Sequence, residues 1–237
     1  MRFAIQDETK IEATPKAVGK CPGCGADLVA RCGTRKVWHW AHKGRRHCDH
    51  WWENETEWHR KWKDHFPTDW QEIGSRDADG ELHIADVRTP AGLVVEFQHS
   101  YLKSAEAKKR TEFHSPIIWV VDATRRPTDI EQFTRSLRDA QKHNVDGGTV
   151  YQIYWAEEVR LFREWAGLNV IIAFDLGMDD VWLLRRIQHG TIYGFFYPKA
   201  DLVKNILGGA VPPDVLFGKP RQTRTNRGMR RAYRGRY

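Results

Sequence analysis

The sequence predicts an α/β protein: a mixed sheet flanked by helices, preceded by a small β-ribbon built around clustered cysteines. Three observations carry this expectation. The stretch from His83 to Gln98 reads as two strands joined by Thr89-Pro90-Ala91-Gly92, because proline presets φ and glycine tolerates positive φ. Ile117-Ile-Trp-Val-Val121 is a continuous apolar run, the mark of a strand covered on both faces. All four cysteines, Cys21, Cys24, Cys32 and Cys48, fall in one short region near the N-terminus. Without a secretory context, such a cluster reads as metal ligands before disulfides.

The elements follow in order. Phe3-Ala-Ile5 is a short strand with an extended entry behind it. Cys21-Pro-Gly-Cys24-Gly25 is a tight turn that aims two thiolates at one tetrahedral ion. The remaining ligands must come from downstream, where His39, His42, His47, Cys48 and His50 are available and Cys32 is a weaker choice. We expect Cys21, Cys24, His42 and Cys48 to hold a structural zinc, with His39 the main substitute. Leu28–Arg31 and Lys36–Trp40 flank Gly33-Thr34-Arg35 as the two strands of the ribbon. Residues 51–66 read as a helix capped by Asp49 or Asn54 and ended by Pro67. In it Trp51, Trp58, Trp62 and Phe66 make an apolar stripe, while Glu55, His59 and Lys63 make a polar one.

Trp70–Ile73 is the expected first core strand, and Asp77-Ala-Asp-Gly80 turns into Leu82–Val87. His83 falls on the opposite strand face from Asp86. Tyr101–Phe113 reads as a helix with Ser100 as its cap; it carries Lys103, Lys108, Lys109 and Arg110, cations suited to a phosphate backbone. Helices at 129–143, 157–166 and 200–207, strands at 149–155 and 168–174, and a late hairpin, 181–187 with 191–197, complete the body. This divides the chain into a zinc module at 1–50, a main domain at 51–210 and a basic tail at 211–237.

Charge is unevenly placed. The chain carries +7, yet Lys219, Arg221, Arg224, Arg227, Arg230, Arg231, Arg234 and Arg236 all lie in the tail with no acid among them, so the body is near neutral. The tail lacks the apolar content to order itself. With Tyr233 and Tyr237 it suits phosphate contact and base stacking, and Arg224, Arg227, Arg230 and Arg231 are its expected nucleic-acid contacts. No apolar run approaches the roughly 20 residues of a membrane span, and the N-terminus lacks a signal-peptide core, so a cytoplasmic location is expected. A phosphate-cradling glycine loop is missing, so ATP use is not indicated.

The hairpin carries the chemistry. Glu96 and Gln98 share one face of their strand, and a hairpin brings Asp86 opposite them. Carboxylates gathered on one wall repel unless a proton or cation sits between them. Hard oxygen donors suit Mg²⁺ or Mn²⁺. An acid on one strand, then Glu96-Phe97-Gln98 on the next, resembles the core of the PD-(D/E)xK nucleases, with Gln98 where most members carry lysine.

A wider resemblance follows from Cys-Pro-x-Cys-Gly at 21–25, Lys36-x-x-His39-x-Ala-His42, Glu55-Thr-x-Trp-His59-x-x-x-Lys63, Ala85-Asp86-Val and Glu96-Phe-Gln-His-Ser100. In that order and spacing, and with Arg110 downstream, they are similar to the competence CoiA-like nuclease family over roughly residues 20–122. The resemblance implies a zinc-finger-like module joined to a restriction-endonuclease-like core, and it makes Gln98 an expected departure from the wider superfamily. It places Glu55, Asp86, Glu96 and Gln98 in the site and matches His59, Lys63 and Arg110 to the family's motifs. Asp86 and Glu96 would hold Mg²⁺ or Mn²⁺, Gln98 would position a water, and His59 would protonate the leaving oxygen or hold Glu55. The implied function is metal-dependent cleavage of DNA in uptake, recombination or phage DNA processing, beside recombination or phage proteins. The alternative is a DNA-binding recombination accessory on the same fold, without catalysis.

Overall fold

A computed structural model describes residues 1–44, 48–145, 148–165, 167–188 and 190–210, without the side chains of 185–188. His47 and the tail arginines Arg224, Arg227, Arg230 and Arg231 lie outside the described residues. Those described form a mixed α/β structure with two sheets. The first is five-stranded, with strands β1 (Phe3–Gln6), β2 (Thr9–Glu12), β3 (Val18–Lys20), β4 (Asp27–Arg31) and β5 (His39–His42) in the order β2-β1-β3-β4-β5. Its core is Ala4, Ala13, Cys21, Leu28 and Trp40. The expected two-stranded ribbon is therefore only the β4–β5 edge of a larger sheet. The extra hairpin β1–β2 turns through Asp7 and Glu8, both at positive φ of 49° and 63°. That is the backbone of a tight hairpin turn made without the usual Asn or Gly.

Helix α1 spans Glu57–Lys63. It is shorter than the expected 51–66, and neither Asp49 nor Asn54 caps it. Thr56 does, accepting from the His59 backbone N–H at 3.3 Å. Trp51 and Trp52 instead belong to the segment that leads into the helix. Strands β6 (Gln71–Arg76), β7 (Leu82–Arg88) and β8 (Val94–Gln98) follow as an antiparallel meander. Helix α2 (Ser104–Phe113) leads to β9 (Ile117–Asp122), which runs parallel to β8. Ser100 does not cap α2; Lys103 occupies the cap position without a side-chain bond.

Helix α3 covers Pro127–Asp139, and the chain then becomes strand β10 (Gln141–Val145) rather than staying helical to His143. Pairing with β11 (Gly148–Ile153) decides this, with His143 Nε2 against Gln152 Oε1 at 2.8 Å and Lys142 over the Tyr151 ring. A single turn at Ala156–Glu158 and helix α4 (Arg160–Trp165) precede β12 (Ile171–Asp175), β13 (Asp180–Gln188), β14 (Thr191–Pro198) and helix α5 (Lys199–Leu207). The second sheet orders its nine described strands β10-β11-β14-β13-β12-β9-β8-β7-β6, with β8, β9 and β12 parallel at its centre.

Alternation along β9 makes three layers. Trp119 and Val121 pack with Ala107, Phe133, Phe162 and Trp165 of α2, α3 and α4. Ile118 and Val120 pack on the other face with Trp62 of α1 and with Leu202, Val203 and Ile206 of α5. Both faces of the central strand are thus buried, as its apolar run requires.

Candidate metal centre and acidic pocket

Two clusters stand out, and their donor chemistry differs. The first is the thiol group. Cys21 Sγ lies 3.6 Å from Cys48 Sγ, and Cys24 Sγ lies 3.4 Å from His42 Nε2. The four ligand atoms fall within 4.8 Å of one another. The turn is closed by Cys21 N–H to Ala26 O at 2.8 Å and Gly25 N–H to Cys21 O at 2.9 Å. Gly25 takes φ of +73°, which a side chain would resist. His42 enters from β5. Burial and the neighbouring Cys21 push the Cys48 thiol far above its ordinary value, so the sulfurs cannot ionise together unless a cation compensates them. Three sulfurs and one imidazole in one shell suit a structural metal such as zinc. His39 is not part of this group: its Nδ1 meets Val37 O at 2.9 Å. His39 and His42 are three apart on one strand, so they point to opposite faces. His50 pairs with Glu81 instead, and Cys32 stands apart.

The second cluster is a row of acids across three strands. Gln71 faces Val87 and Ile73 faces Ala85, which sets Glu72 opposite Asp86. Val87 faces Val95, which sets Asp86 opposite Glu96. The β7–β8 ladder ends at that pair, and the carboxylates take over its hydrogen bonds. Asp86 N–H donates to Glu96 Oε1 at 3.1 Å, and Phe97 N–H donates to Asp86 Oδ2 at 3.0 Å. Glu72 sits at a left-handed φ of 52° and accepts from the Arg2 and Phe3 backbone N–H groups at 2.6 and 3.0 Å. The first strand of the N-terminal sheet is thus pinned to the acidic row.

Lys63 is the cation in this row. Its ammonium lies 2.9 Å from Asp86 Oδ1, 3.3 Å from Glu72 Oε1 and 3.4 Å from Glu55 Oε2, and its side chain is 3% exposed. Burial works against the charged amine, but the three carboxylates override it and hold the Lys63 pKa well above its ordinary value. Burial likewise opposes ionisation of Asp86, and Lys63 overcomes it, so Asp86 stays below the usual carboxylate range. The family motif suggested Lys63 as a nucleic-acid contact, and a buried ammonium so committed does not serve as one. Arg110 differs from that expectation too. It is buried, donates to Glu106 Oε1 from Nε at 3.1 Å and from Nη2 at 2.5 Å, and lies over the Trp51 ring at 5.6 Å.

Glu96 behaves otherwise. Burial, then the Asp86 charge, drives its pKa well above the ordinary value, which favours a protonated Glu96 when no cation is bound. His114 Nε2 is 3.9 Å from Glu96 Oε1, and burial with the Arg88 charge lowers the His114 pKa to about 3. His59 hangs into the same pocket, with Nδ1 against Thr56 Oγ1 at 2.8 Å. Its burial lowers the pKa despite Asp86.

The pocket is lined by Glu53, Glu55, His59, Lys63, Asp86 and Glu96, among others. Gln98 does not line it. Its amide nitrogen donates to Glu53 Oε1, to Ser100 O at 3.1 Å and to Ser100 Oγ at 3.3 Å. Glu53, Asp49 and His114 line the pocket without any signal in the sequence, and Glu72, which the sequence offers equally as a ligand or an edge acid, lines it too. Glu72 was legible only through strand register, and Asp49 only through its bonds to His83 and the Ile84 N–H.

A hard divalent cation fits the donors of this pocket. Glu55 Oε1 is buried without a hydrogen-bond partner among the described residues, with Arg60 Nε 3.8 Å away. An orphaned carboxylate oxygen beside Asp86 and Glu96 is the donor such a cation takes. The acids are more widely spaced than the thiols, since no three of these carboxylates converge within 4.8 Å among the described residues.

The fold and its two clusters define a mixed α/β protein with an N-terminal Cys₃His group and a buried acid–lysine pocket. Residues 6–50 match the family model of the N-terminal domain of competence protein CoiA, a match that supports a CoiA-like protein. It spans the end of β1 through the thiol group. No curated protein and no solved structure matches the chain. Among the described residues, no helix is long and apolar enough to cross a membrane.

Proposed function

We propose that the chain is a metal-dependent nuclease of the PD-(D/E)xK type, acting on DNA in a competence-related role. The observation that carries this reading is that Glu55, Asp86 and Glu96 line one pocket that also holds a buried lysine. The N-terminal match to CoiA adds the competence association. Glu55, Asp86 and Glu96 would hold the Mg²⁺ or Mn²⁺, which when bound lowers the pKa of water and offsets charge on the phosphate. Lys63 supplies the fixed positive charge that Gln98 cannot. Gln98 holds Glu53 at the pocket wall through its amide nitrogen. His59, kept in orientation by Thr56, presents its second ring nitrogen as a proton donor or acceptor.

With Mg²⁺ present, Asp86→Asn and Glu96→Gln each abolish cleavage of DNA while the protein keeps its fold. Cleavage that survives both substitutions refutes the assignment. One observation favours a second reading, a DNA-binding protein without catalysis: Lys63 already neutralises part of the acidic row. That reading predicts salt-dependent DNA binding with no product on a gel at any Mg²⁺ or Mn²⁺ concentration.

A further inference from the structure

With Lys63 and Arg110 committed to carboxylates, the cations that meet a phosphate backbone must lie elsewhere. Between Asp27 and Asp49 the chain carries Arg31, Arg35, Lys36, Lys43, Arg45 and Arg46 and no acid. Three of these, Arg31, Arg35 and Lys36, line an open depression at the tip of the β4–β5 hairpin, together with Thr34 and His39. All three are exposed. Beside them Trp38 leaves 44% of its surface in solvent, enough to offer a ring face. The hairpin is tied to the acidic pocket. Lys36 Nζ donates to Asn54 Oδ1 at 3.3 Å, the Arg60 guanidinium donates to Trp38 O, and Asn54 lines the pocket next to Glu55.

We propose that this hairpin is the docking surface for a single-stranded nucleic acid, with Arg31, Arg35 and Lys36 on its phosphates and Trp38 stacked on an unpaired base. The inference deepens the nuclease reading by naming the substrate form, and it rests on that reading for the direction in which the strand runs. Charge complementarity selects a polyanion: a cationic surface without a local acid attracts phosphate and releases its counterions. The exposed indole selects the unpaired form. A base in a duplex is already stacked on its neighbours, whereas one in a single strand offers its face to an aromatic side chain. The ties to Asn54 and Arg60 then place a bound strand at the rim of the pocket that holds Asp86.

The test is fluorescence anisotropy with a labelled 20-mer of thymidylate and a labelled 20-bp duplex, full-length zinc-loaded protein, no added Mg²⁺ and varied salt. The Arg31→Ala/Arg35→Ala/Lys36→Ala protein should bind the 20-mer at least tenfold more weakly. Its log–log salt slope should fall by about 2, from roughly 0.7 per lost phosphate contact on a single strand. Arg35→Glu alone should weaken binding in the same direction. These side chains are exposed, so zinc content and melting temperature should match the parent; Arg35→Glu decides the matter if the triple variant does not fold. Trp38→Ala should lose about fivefold on the 20-mer, the lower end for one stacked base, and little on the duplex. Residues 219–236 are common to all these proteins, so the differences report the hairpin. Unchanged affinity and slope in the basic variants overturn the docking surface, even where Asp86-dependent cleavage persists. Equal effects of Trp38→Ala on both probes, or none, overturn the single-strand assignment. Lost binding in a protein that never cleaves sustains the surface and removes the nuclease reading instead.

Discussion

Replacing Lys63 with methionine tests the acidic row most directly. The substitution keeps an unbranched side chain one atom shorter and removes one charge from a side chain that is 3% exposed. Three carboxylate oxygens at 2.9, 3.3 and 3.4 Å then face one another without their cation. At an effective dielectric near 20 each contact at about 4 Å is worth roughly 4 kcal/mol before desolvation is counted. Breaking a buried pair by removing one partner costs about 3–5 kcal/mol net. For a chain of this size that corresponds to a fall of about 6–20 °C in Tm. Thermal unfolding followed by tryptophan fluorescence, at neutral pH and without divalent ions, reads it. The sign of the pH dependence is determined by the acids. Asp86 and Glu72 are held below their ordinary values, so their contribution is present above the unfolded carboxylate pKa and is lost as pH falls through the folded one. The gap between parent and variant therefore closes in acid. Mg²⁺ should restore the variant more than the parent, by about 2.7 kcal/mol at a hundredfold excess over Kd. A Lys63→Met protein as stable as the parent at neutral pH, or indifferent to Mg²⁺, refutes this account of the pocket.

Two further outcomes follow from the same kind of reasoning. Elemental analysis should find about one zinc per chain, and Cys21→Ser should lose it together with the N-terminal sheet, read by limited proteolysis; full zinc in that variant would exclude Cys21 as a ligand. Asp175→Asn should cost about 2–4 kcal/mol in urea unfolding, because Asp175 accepts from Trp58 and Trp62 Nε1 at 3.0 and 2.9 Å and from Lys199 at 2.7 Å. Burial resists the Asp175 charge, but Lys199 and three N–H donors lower its pKa. This contribution is likewise present above about pH 4 and disappears as pH falls through the folded pKa, so parent and variant should converge in acid. A difference that persists there would locate the effect in packing instead.

Much of this arrangement was legible from local pattern. The strand pair around Thr89–Gly92 follows from turn chemistry and alternation, and alternation alone brings Asp86 to Glu96. The thiol quartet follows from ligand type and spacing, and strand parity excludes His39. Other features depend on contacts that sequence distance hides. Asp7 and Glu8 turn a hairpin with a glutamate where glycine is usual, so the turn signal is weak. The 51–66 stripe looks helical because Trp51 and Trp58 share a heptad spacing. Yet Trp51 stacks on His83 outside any helix, and Thr56 starts α1. Strand β10 wins over helix through its partner β11. The role of Lys63 is the least visible, since an exposed lysine and a buried one have the same spacing from Glu55 and His59. Only the register that aligns Glu72, Asp86 and Glu96 reveals why a cation is needed there.

The two clusters solve one electrostatic problem in different ways. Each brings together groups that cannot all be anionic without a compensating charge. In the acidic row that charge is partly built in: Lys63 neutralises Asp86 and Glu72, and burial favours the protonated form of Glu96. The main sheet can therefore fold without a metal and still leave Glu55 Oε1 without a hydrogen bond. The thiol group has no such internal cation among the described residues; Cys48 stays protonated because of burial and Cys21. An ion there would replace protons and tie the Cys21–Gly25 turn, strand β5 and the segment at Cys48 to one centre. Chelation should consequently act on the two halves unequally: a structural ion at the thiols would be required for the small sheet to fold, whereas an ion at the acids would add stability to a main sheet that folds without it.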